Sequence, residues 1–273
     1  MPVLSRFARA VLAVGAGLLL AVPAPAQSPP AAPKTALSAS YPPAPGFDAA
    51  GSDARAVALA DRVMQQMGGF DAWKKARYFG WGFFGGQYQI WDKYTGDFHW
   101  QKDTLVANYN LQTKRGRVFS RGKDISATPA GRKLLSDLTP IWINNSWWLL
   151  MPFKLKDTGV TLTYKGPGKL MSGAPADVLQ MTFKNVGVTP DNRYEVLVSR
   201  ASGLVEEWAY FEKARDAKPA FRRRWNDYRR HGALLLASGR GEAAKPARLD
   251  DIAQVQTLPA GVMSSPTPVA KLK

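Results

Sequence analysis

The side chains that most often carry catalysis or bind metals are sparse in this 273-residue chain. It contains no cysteine, which excludes disulfides, thiol catalysis and thiolate metal sites. Its two histidines, His99 and His231, are far apart in sequence, and neither lies in a His-Glu-x-x-His or similar metal-binding spacing. We therefore predict no metal site, no cofactor and no enzymatic activity.

The acidic and glycine-rich motifs are equally weak. Glu206 and Glu207 lie on a predicted strand, where adjacent side chains point to opposite faces, so they do not form an acid–base pair. The pair Asp250-Asp251 has the same limitation, and Gly166-Pro167-Gly168-Lys169 lacks the full spacing of a phosphate-binding loop. A hydrolase would need carboxylates that meet only in the fold, and it is the least favoured of three functions.

Aromatic residues give the stronger signal. All nine tryptophans lie between residues 73 and 225. Core packing is the simpler explanation for each ring taken alone. A small β-barrel, however, can enclose one apolar ligand, and aromatic rings would then line its interior. We predict a partly hollow interior lined by eight aromatic residues: Trp81, Phe83, Trp91, Trp100, Trp142, Trp147, Trp148 and Phe153.

The chain is also strongly basic, with a formal net charge of +16. Positive surfaces attract polyanions, although a solvated basic surface needs no partner at all. Two clusters of basic residues predict contact with anionic lipid head groups at a membrane surface. The residues predicted to make this contact are Arg115, Arg117, Arg222, Arg223 and Arg224.

The N-terminal residues have the pattern of a secretory signal peptide spanning residues 1–26. Arg6 and Arg9 precede an apolar run of about 13 residues, which is shorter than the roughly 20 that span a bilayer. Ala24-Pro25-Ala26 then supplies the small residues of a cleavage site near Ala26. Removal of the two arginines lowers the formal charge from +16 to +14. We expect a periplasmic or secreted protein, not anchored by lipid because it lacks cysteine, and without a nucleic-acid partner.

Composition divides the remaining chain into three parts. Residues 27–46 are rich in Pro and Ala and predict a disordered linker. A single domain is predicted over residues 47–267, followed by a tail of residues 268–273.

Local patterns predict the elements of that domain. Ser52 or Asp53 caps a helix whose apolar stripe ends at Gly68-Gly69. From Arg77 onward, short runs rich in aromatic and β-branched residues alternate with turns, which is typical of antiparallel strands. Tight hairpins are predicted at Thr95-Gly96-Asp97 and Ala201-Ser202-Gly203.

A helical insertion interrupts the strands. Thr128-Pro129 and Thr139-Pro140 each predict the start of a helix, and Pro152 ends the second. The predicted fold is therefore α+β, mainly antiparallel β with a few helices. Its strongly curved, incomplete barrel is closed by the N-terminal helix and the helical insertion, because a sandwich would leave the apolar helix faces without a partner.

A resemblance to a known family begins at the tryptophan-rich helix. The run from Asn144-Asn145-Ser146-Trp147-Trp148 through Gly159-Val160 resembles a segment of exported bacterial proteins of the LolA/LolB lipoprotein-sorting superfamily, most closely an uncharacterised branch. Further matching positions span roughly residues 53–267: Gly68-Gly69, Trp73, Thr182-Phe183, Val186-Gly187, Thr189-Pro190-Asp191 and Tyr194. The resemblance implies an incomplete barrel whose apolar cavity holds acyl chains of lipids or lipoproteins.

Together these observations predict a monomeric, soluble periplasmic protein that binds or carries lipid or lipidated protein in an aromatic-lined cavity. The alternative is an envelope interaction module with a solid core, which binds anionic lipid or polysaccharide on its basic face.

Overall fold

The computed structural model describes residues 41–184, 186, 191–241 and 247–273. The predicted signal peptide, residues 1–26, and residues 27–40 of the predicted linker lie outside this part. So do Gly187 and Thr189-Pro190 of the segment that resembles the LolA/LolB-like superfamily.

The described residues form three α-helices. They are α1 (Ala54–Gln66), α2 (Phe70–Lys75) and α3 (Pro129–Leu150), and single 3₁₀ turns follow at Met151–Lys154 and Val262–Ser264. None of the helices in the described residues is both long and apolar enough to cross a membrane.

Fourteen strands make up the rest of the regular structure in the described residues. They are β1 (Tyr78–Phe83), β2 (Gln87–Asp92), β3 (Asp97–Lys102), β4 (Leu105–Asn110), β5 (Arg115–Ser120), β6 (Lys123–Asp124), β7 (Val160–Lys169), β8 (Pro175–Phe183), β9 (Arg193–Ser199), β10 (Val205–Phe211), β11 (Phe221–Arg224), β12 (Asn226–His231), β13 (Leu234–Gly239) and β14 (Ala253–Val255).

The strands pair into two main antiparallel sheets. The first sheet has the order β14-β1-β2-β3-β4-β5-β6, and the second has the order β11-β10-β9-β8-β7. A separate hairpin joins β12 to β13. Within the described residues the sheets do not close into a barrel, so the predicted α+β class and incomplete barrel are confirmed.

Helix α1 forms where the sequence pattern predicts it. Asp53 is its N-cap residue, and the side chains of Ala60, Val63 and Met64 are buried on one face. Gly68 follows with a φ of 120°, a left-handed conformation that residues with a Cβ rarely adopt. The helix ends just before this glycine, at Gln66, and its apolar face packs into the core.

Helix α3 corrects one prediction. Thr128 caps it as expected, with its Oγ1 accepting a hydrogen bond from Gly131 N at 3.1 Å, but Thr139-Pro140 does not begin a second helix. Pro140 lies inside one continuous helix. A proline there removes a helical hydrogen bond and costs about 3 kcal/mol. Burial of Leu138 before it and Leu149 after it offsets that cost.

The first sheet has two differently covered faces. Its inner face packs against α3, whereas its outer face is covered by the C-terminal segment, residues 258–272. Gln101 donates to Val269 O at 3.1 Å and accepts from Val269 N at 2.8 Å. Tyr88 Oη accepts from Leu272 N at 2.7 Å. The predicted tail, residues 268–273, thus contains residues that pack against the sheet.

The N-terminal boundary of the domain also differs from the predicted one. Residues 41–46 belong to the predicted linker, yet Tyr41 is buried in the main core and its hydroxyl donates to Phe153 O at 2.5 Å. Ala44 N also donates to Lys156 O at 2.9 Å. A proline-rich composition does not predict these contacts of Tyr41 and Ala44 with the rest of the domain.

Candidate ligand-binding cavity

A cavity of about 560 Å³ lies against one end of the second sheet and the C-terminal half of α3. Its volume is within the roughly 300–1,000 Å³ of pockets that hold small molecules. It is lined by Trp142, Ile143, Asn144, Ser146, Trp147, Trp148, Lys154, Asp157, Thr158, Val160, Phe183, Val186, Asn192, Tyr194, Trp208, Tyr210 and Phe221.

The sheet side of the cavity is an aromatic row that crosses four strands. Tyr210 on β10 lies directly opposite both Tyr194 on β9 and Phe221 on β11, so all three rings share one face. The ring centroids are 5.5 Å apart for Tyr194–Tyr210 and 5.0 Å apart for Tyr210–Phe221. Phe183 on β8 extends the row, 5.2 Å from Tyr194. Strand register therefore assembles the wall from residues far apart in sequence.

Helix α3 supplies the facing side with adjacent tryptophans. The Trp147 ring lies 4.8 Å from Tyr194, whereas the Trp148 ring meets Trp208 at 5.2 Å with an interplanar angle of 87°. Edge-to-face contacts of this kind are favoured by the ring quadrupoles. The helix is thereby fixed against the aromatic row, which makes the cavity preformed.

The indole N–H groups do not give this wall a polar character. Nε1 of Trp142, Trp147 and Trp208 is buried, and none of the three has a hydrogen-bond acceptor among the described residues. Trp208 makes T-shaped contacts with Trp148 and Phe221, in which ring edges meet ring faces. An N–H group can interact weakly with such a face. The accessible part of the wall is consequently mostly ring carbon.

Polar groups gather at another edge of the cavity, on the connection between α3 and β7. Lys154 forms an ion pair with Asp157, three residues later. Beside them, Thr158 Oγ1 donates to Pro45 O at 2.7 Å. Burial raises the pKa of Tyr194 to about 12 despite an opposing hydrogen bond with Asn192, so its phenol is neutral at physiological pH. The cavity thus has an apolar wall and a polar edge.

Arg240 holds the end of α3 beside the cavity. It is fully buried, and its Nε donates to Trp148 O at 2.9 Å. The helical donor for that carbonyl would be the N–H of residue 152, which is Pro152 and has none. The guanidinium also donates to Gly239 O and Ala237 O, at 2.7 and 3.0 Å. Burial lowers the pKa of Arg240 to about 9, so it stays charged at neutral pH.

Three of the eight predicted lining residues line this cavity, and all three come from α3: Trp142, Trp147 and Trp148. The other five lie elsewhere. Trp81, Phe83, Trp91 and Trp100 share the inner face of the first sheet, as their strand pairing shows. Phe153 is buried in the core, with its ring stacked 4.6 Å from Trp73.

Burial and contacts with neighbouring side chains account for the positions of Trp81, Trp91 and Trp100. Trp100 Nε1 donates to Gln87 Oε1 at 2.8 Å, and Trp81 is fully buried. Trp91 reaches Trp142 with a ring separation of 5.2 Å, so it supports a lining residue without lining the cavity itself. Ligand contact by any of the eight residues stays a prediction.

The five predicted anion-contacting arginines do not share one surface. Arg115 and Arg117 are exposed on the first sheet, and Arg117 Nε donates to Asp124 Oδ2 at 2.8 Å. The other three belong to β11, where Arg222 pairs with the buried Glu207, Arg223 is exposed and Arg224 is half-buried. Their contact with anionic head groups stays a prediction.

The sequence reasoning missed the sheet side of the cavity. Its residues Phe183, Tyr194, Trp208, Tyr210 and Phe221 lay within or beside predicted strands, but none was predicted to line a cavity. Phe183 and Tyr194 were identified only as positions that resemble the LolA/LolB-like superfamily. The two-residue spacing of Trp208 and Tyr210 was an available signal, since it places both rings on one face of β10.

Comparison with known proteins gives remote similarities. No protein-family model and no curated protein matches the chain. Among solved structures, a DUF1329 family protein from Desulfovibrio piger is 10% identical with a TM-score of 0.40, covering 77% of this chain and 97% of that one.

Two further solved structures are similar at lower scores. An uncharacterised conserved protein from Thermus thermophilus is 11% identical with a TM-score of 0.22, covering 57% of this chain and 77% of that one. MucB is 16% identical with a TM-score of 0.23, covering 70% and 68%. Scores this low transfer neither fold nor function, so the resemblance to the LolA/LolB-like superfamily stays a prediction.

Proposed function

We propose that this chain is an exported periplasmic protein that binds or carries a lipid or lipidated molecule, with the apolar part of the ligand held in the cavity. The observation that carries the proposal is the preformed aromatic wall, in which the row on the second sheet faces the tryptophans of α3. Burial of an acyl chain against ring carbon is favourable by roughly 25 cal/mol per Å² of apolar surface removed from water.

The polar edge gives such a ligand an orientation. Lys154 and Asp157 lie on one connection, whereas the ring of Phe221 belongs to the sheet wall. An amphiphile can place its head group beside Lys154 and Asp157, and its acyl chain against the ring of Phe221. Among the described lining residues Asp157 is the single carboxylate, and it is paired with Lys154, which favours binding over acid–base catalysis.

The first test is to look for bound ligand. Protein purified from a periplasmic extract would be treated with organic solvent, and the extract analysed by mass spectrometry. We expect acyl compounds in stoichiometric amounts and saturable uptake of a fluorescent fatty acid. Repeated absence of both would refute the proposal.

A cavity-filling variant locates the binding site. Ile143 is half-buried and lines the cavity, so Ile143→Trp is expected to reduce fatty-acid uptake at least about tenfold, and overpacking is expected to cost about 1–3 kcal/mol of stability. The matched control is Ser136→Trp, which adds the same ring to an exposed position of α3. Equal uptake by the two variants would place the ligand elsewhere.

A further inference from the structure

The charges at the polar edge bear on which lipids the cavity accepts. Among the described lining residues, the basic and acidic side chains are Lys154 and Asp157. Each pairs with the other, and their side chains are 29% and 37% exposed. The edge therefore carries opposite charges that cancel, although the chain as a whole has a formal charge of +16.

The predicted basic residues lie outside this lining. Arg222 is paired with Glu207, and Arg117 with Asp124. Arg223 shares the sheet face of the aromatic row, with its guanidinium carbon 5.5 Å from the Phe221 ring centroid. It is exposed to solvent, where salt screens a charge strongly.

We propose that the cavity selects amphiphiles whose head group carries no net charge, either neutral and hydrogen-bonding or zwitterionic. This inference rests on the proposed function. An anionic head group at this edge would give up water without gaining an unpaired cation among the described lining residues, because Lys154 is already paired with Asp157. A zwitterionic or polar neutral head group would instead lie beside a positively charged donor, Lys154, and a negatively charged acceptor, Asp157.

The test compares ligands that share one acyl chain and differ only in head group. Monoacylglycerol and lysophosphatidylcholine would be titrated against the free fatty acid and lysophosphatidylglycerol, using the full chain at physiological ionic strength. We expect the first two to bind about three- to tenfold tighter than the anionic pair. Equal or tighter binding of the anionic pair would overturn the inference.

Two charge-removing variants give opposite shifts. Asp157→Asn leaves Lys154 without its partner and is expected to raise anionic relative to neutral affinity about three- to tenfold, whereas Lys154→Gln is expected to lower that ratio. The ratio is measured within one variant, so partial unfolding does not affect it. The matched control is Asp137→Asn, which breaks a similar pair with Lys133 on the surface of α3.

The outcomes separate this inference from the proposed function. Failure of all four ligands to bind refutes the function itself. Binding with a ratio unchanged by Asp157→Asn and Lys154→Gln refutes the selection by charge alone. A ratio that instead falls in Arg223→Gln would show that the exposed arginine governs head-group choice, and this also overturns the inference.

Discussion

Replacement of Arg240 by methionine should destabilise the fold, although it removes a buried charge that has no carboxylate partner among the described residues. The guanidinium donates to three carbonyls, of Trp148, Gly239 and Ala237. A buried acceptor left without a donor costs about 1–3 kcal/mol, and Trp148 O has no alternative helical donor because residue 152 is proline.

Two effects oppose each other in this variant. Relief of desolvation favours methionine, whereas loss of the charge-assisted hydrogen bonds and of the contact with Trp225, whose ring centroid lies 3.6 Å from the guanidinium, disfavours it. We expect a net loss of about 3 kcal/mol, since three carbonyls lose their donor at about 1–3 kcal/mol each and the relief of desolvation offsets part of that cost. The melting temperature should fall by about 6–12 °C for a domain of this size.

Urea unfolding followed by tryptophan fluorescence measures the loss directly. The control is Arg230→Met on β12, where the arginine is exposed and the change should stay within about 0.5 kcal/mol. An Arg240→Met variant as stable as the wild type, with an unchanged m-value, would show that desolvation outweighs the carbonyl contacts and would refute the reasoning.

Three further predictions concern local contacts. Thr128→Ala removes the α3 cap and should cost about 1 kcal/mol in urea unfolding, whereas no change would mean that the cap bond is exchanged for water. Burial lowers the pKa of His99, so the unfolded chain binds its proton first as the pH falls below about 6.5. As the pH falls, His99 should lower the free energy of unfolding by at most about 1.4 kcal/mol per pH unit. A His99→Gln variant should lack this contribution to the pH dependence of stability. Gln101→Ala removes both bonds to Val269, and amide exchange near Val269 should accelerate, which hydrogen-exchange mass spectrometry can follow; unchanged exchange would mean that apolar contacts alone hold the segment.

The sequence predicts most of the fold because its signals are local. The apolar stripe around Val63 and the cap at Thr128 act within a few residues, and so does the hairpin turn at Gly96. Pro140 shows where local rules fail. Whether a helix continues through a proline depends on burial on both sides of it, and that is a property of the assembled core.

The candidate site is less predictable because pairing between distant strands creates it. The three tryptophans of α3 were identified from one sequence stretch, but their partners come from four different strands of the second sheet. Trp81 and Tyr194 both lie on predicted strands, and a strand pattern alone does not separate a core ring from a cavity ring. The register and packing of the sheets decide that Trp81 is fully buried in the core whereas Tyr194 faces the cavity.

The position of β14 links the completion of the first sheet to the order in which the chain is made. This strand forms the edge beside β1, and its residue Val255 pairs with Tyr78. Since β1 is the first strand of the described chain and β14 the last, this contact is highly non-local and slow to form. Until residue 253 has emerged from the ribosome or a translocation channel, β1 presents unpaired backbone groups that can pair with another chain. Folding should therefore finish after synthesis, and variants truncated before β14 should aggregate.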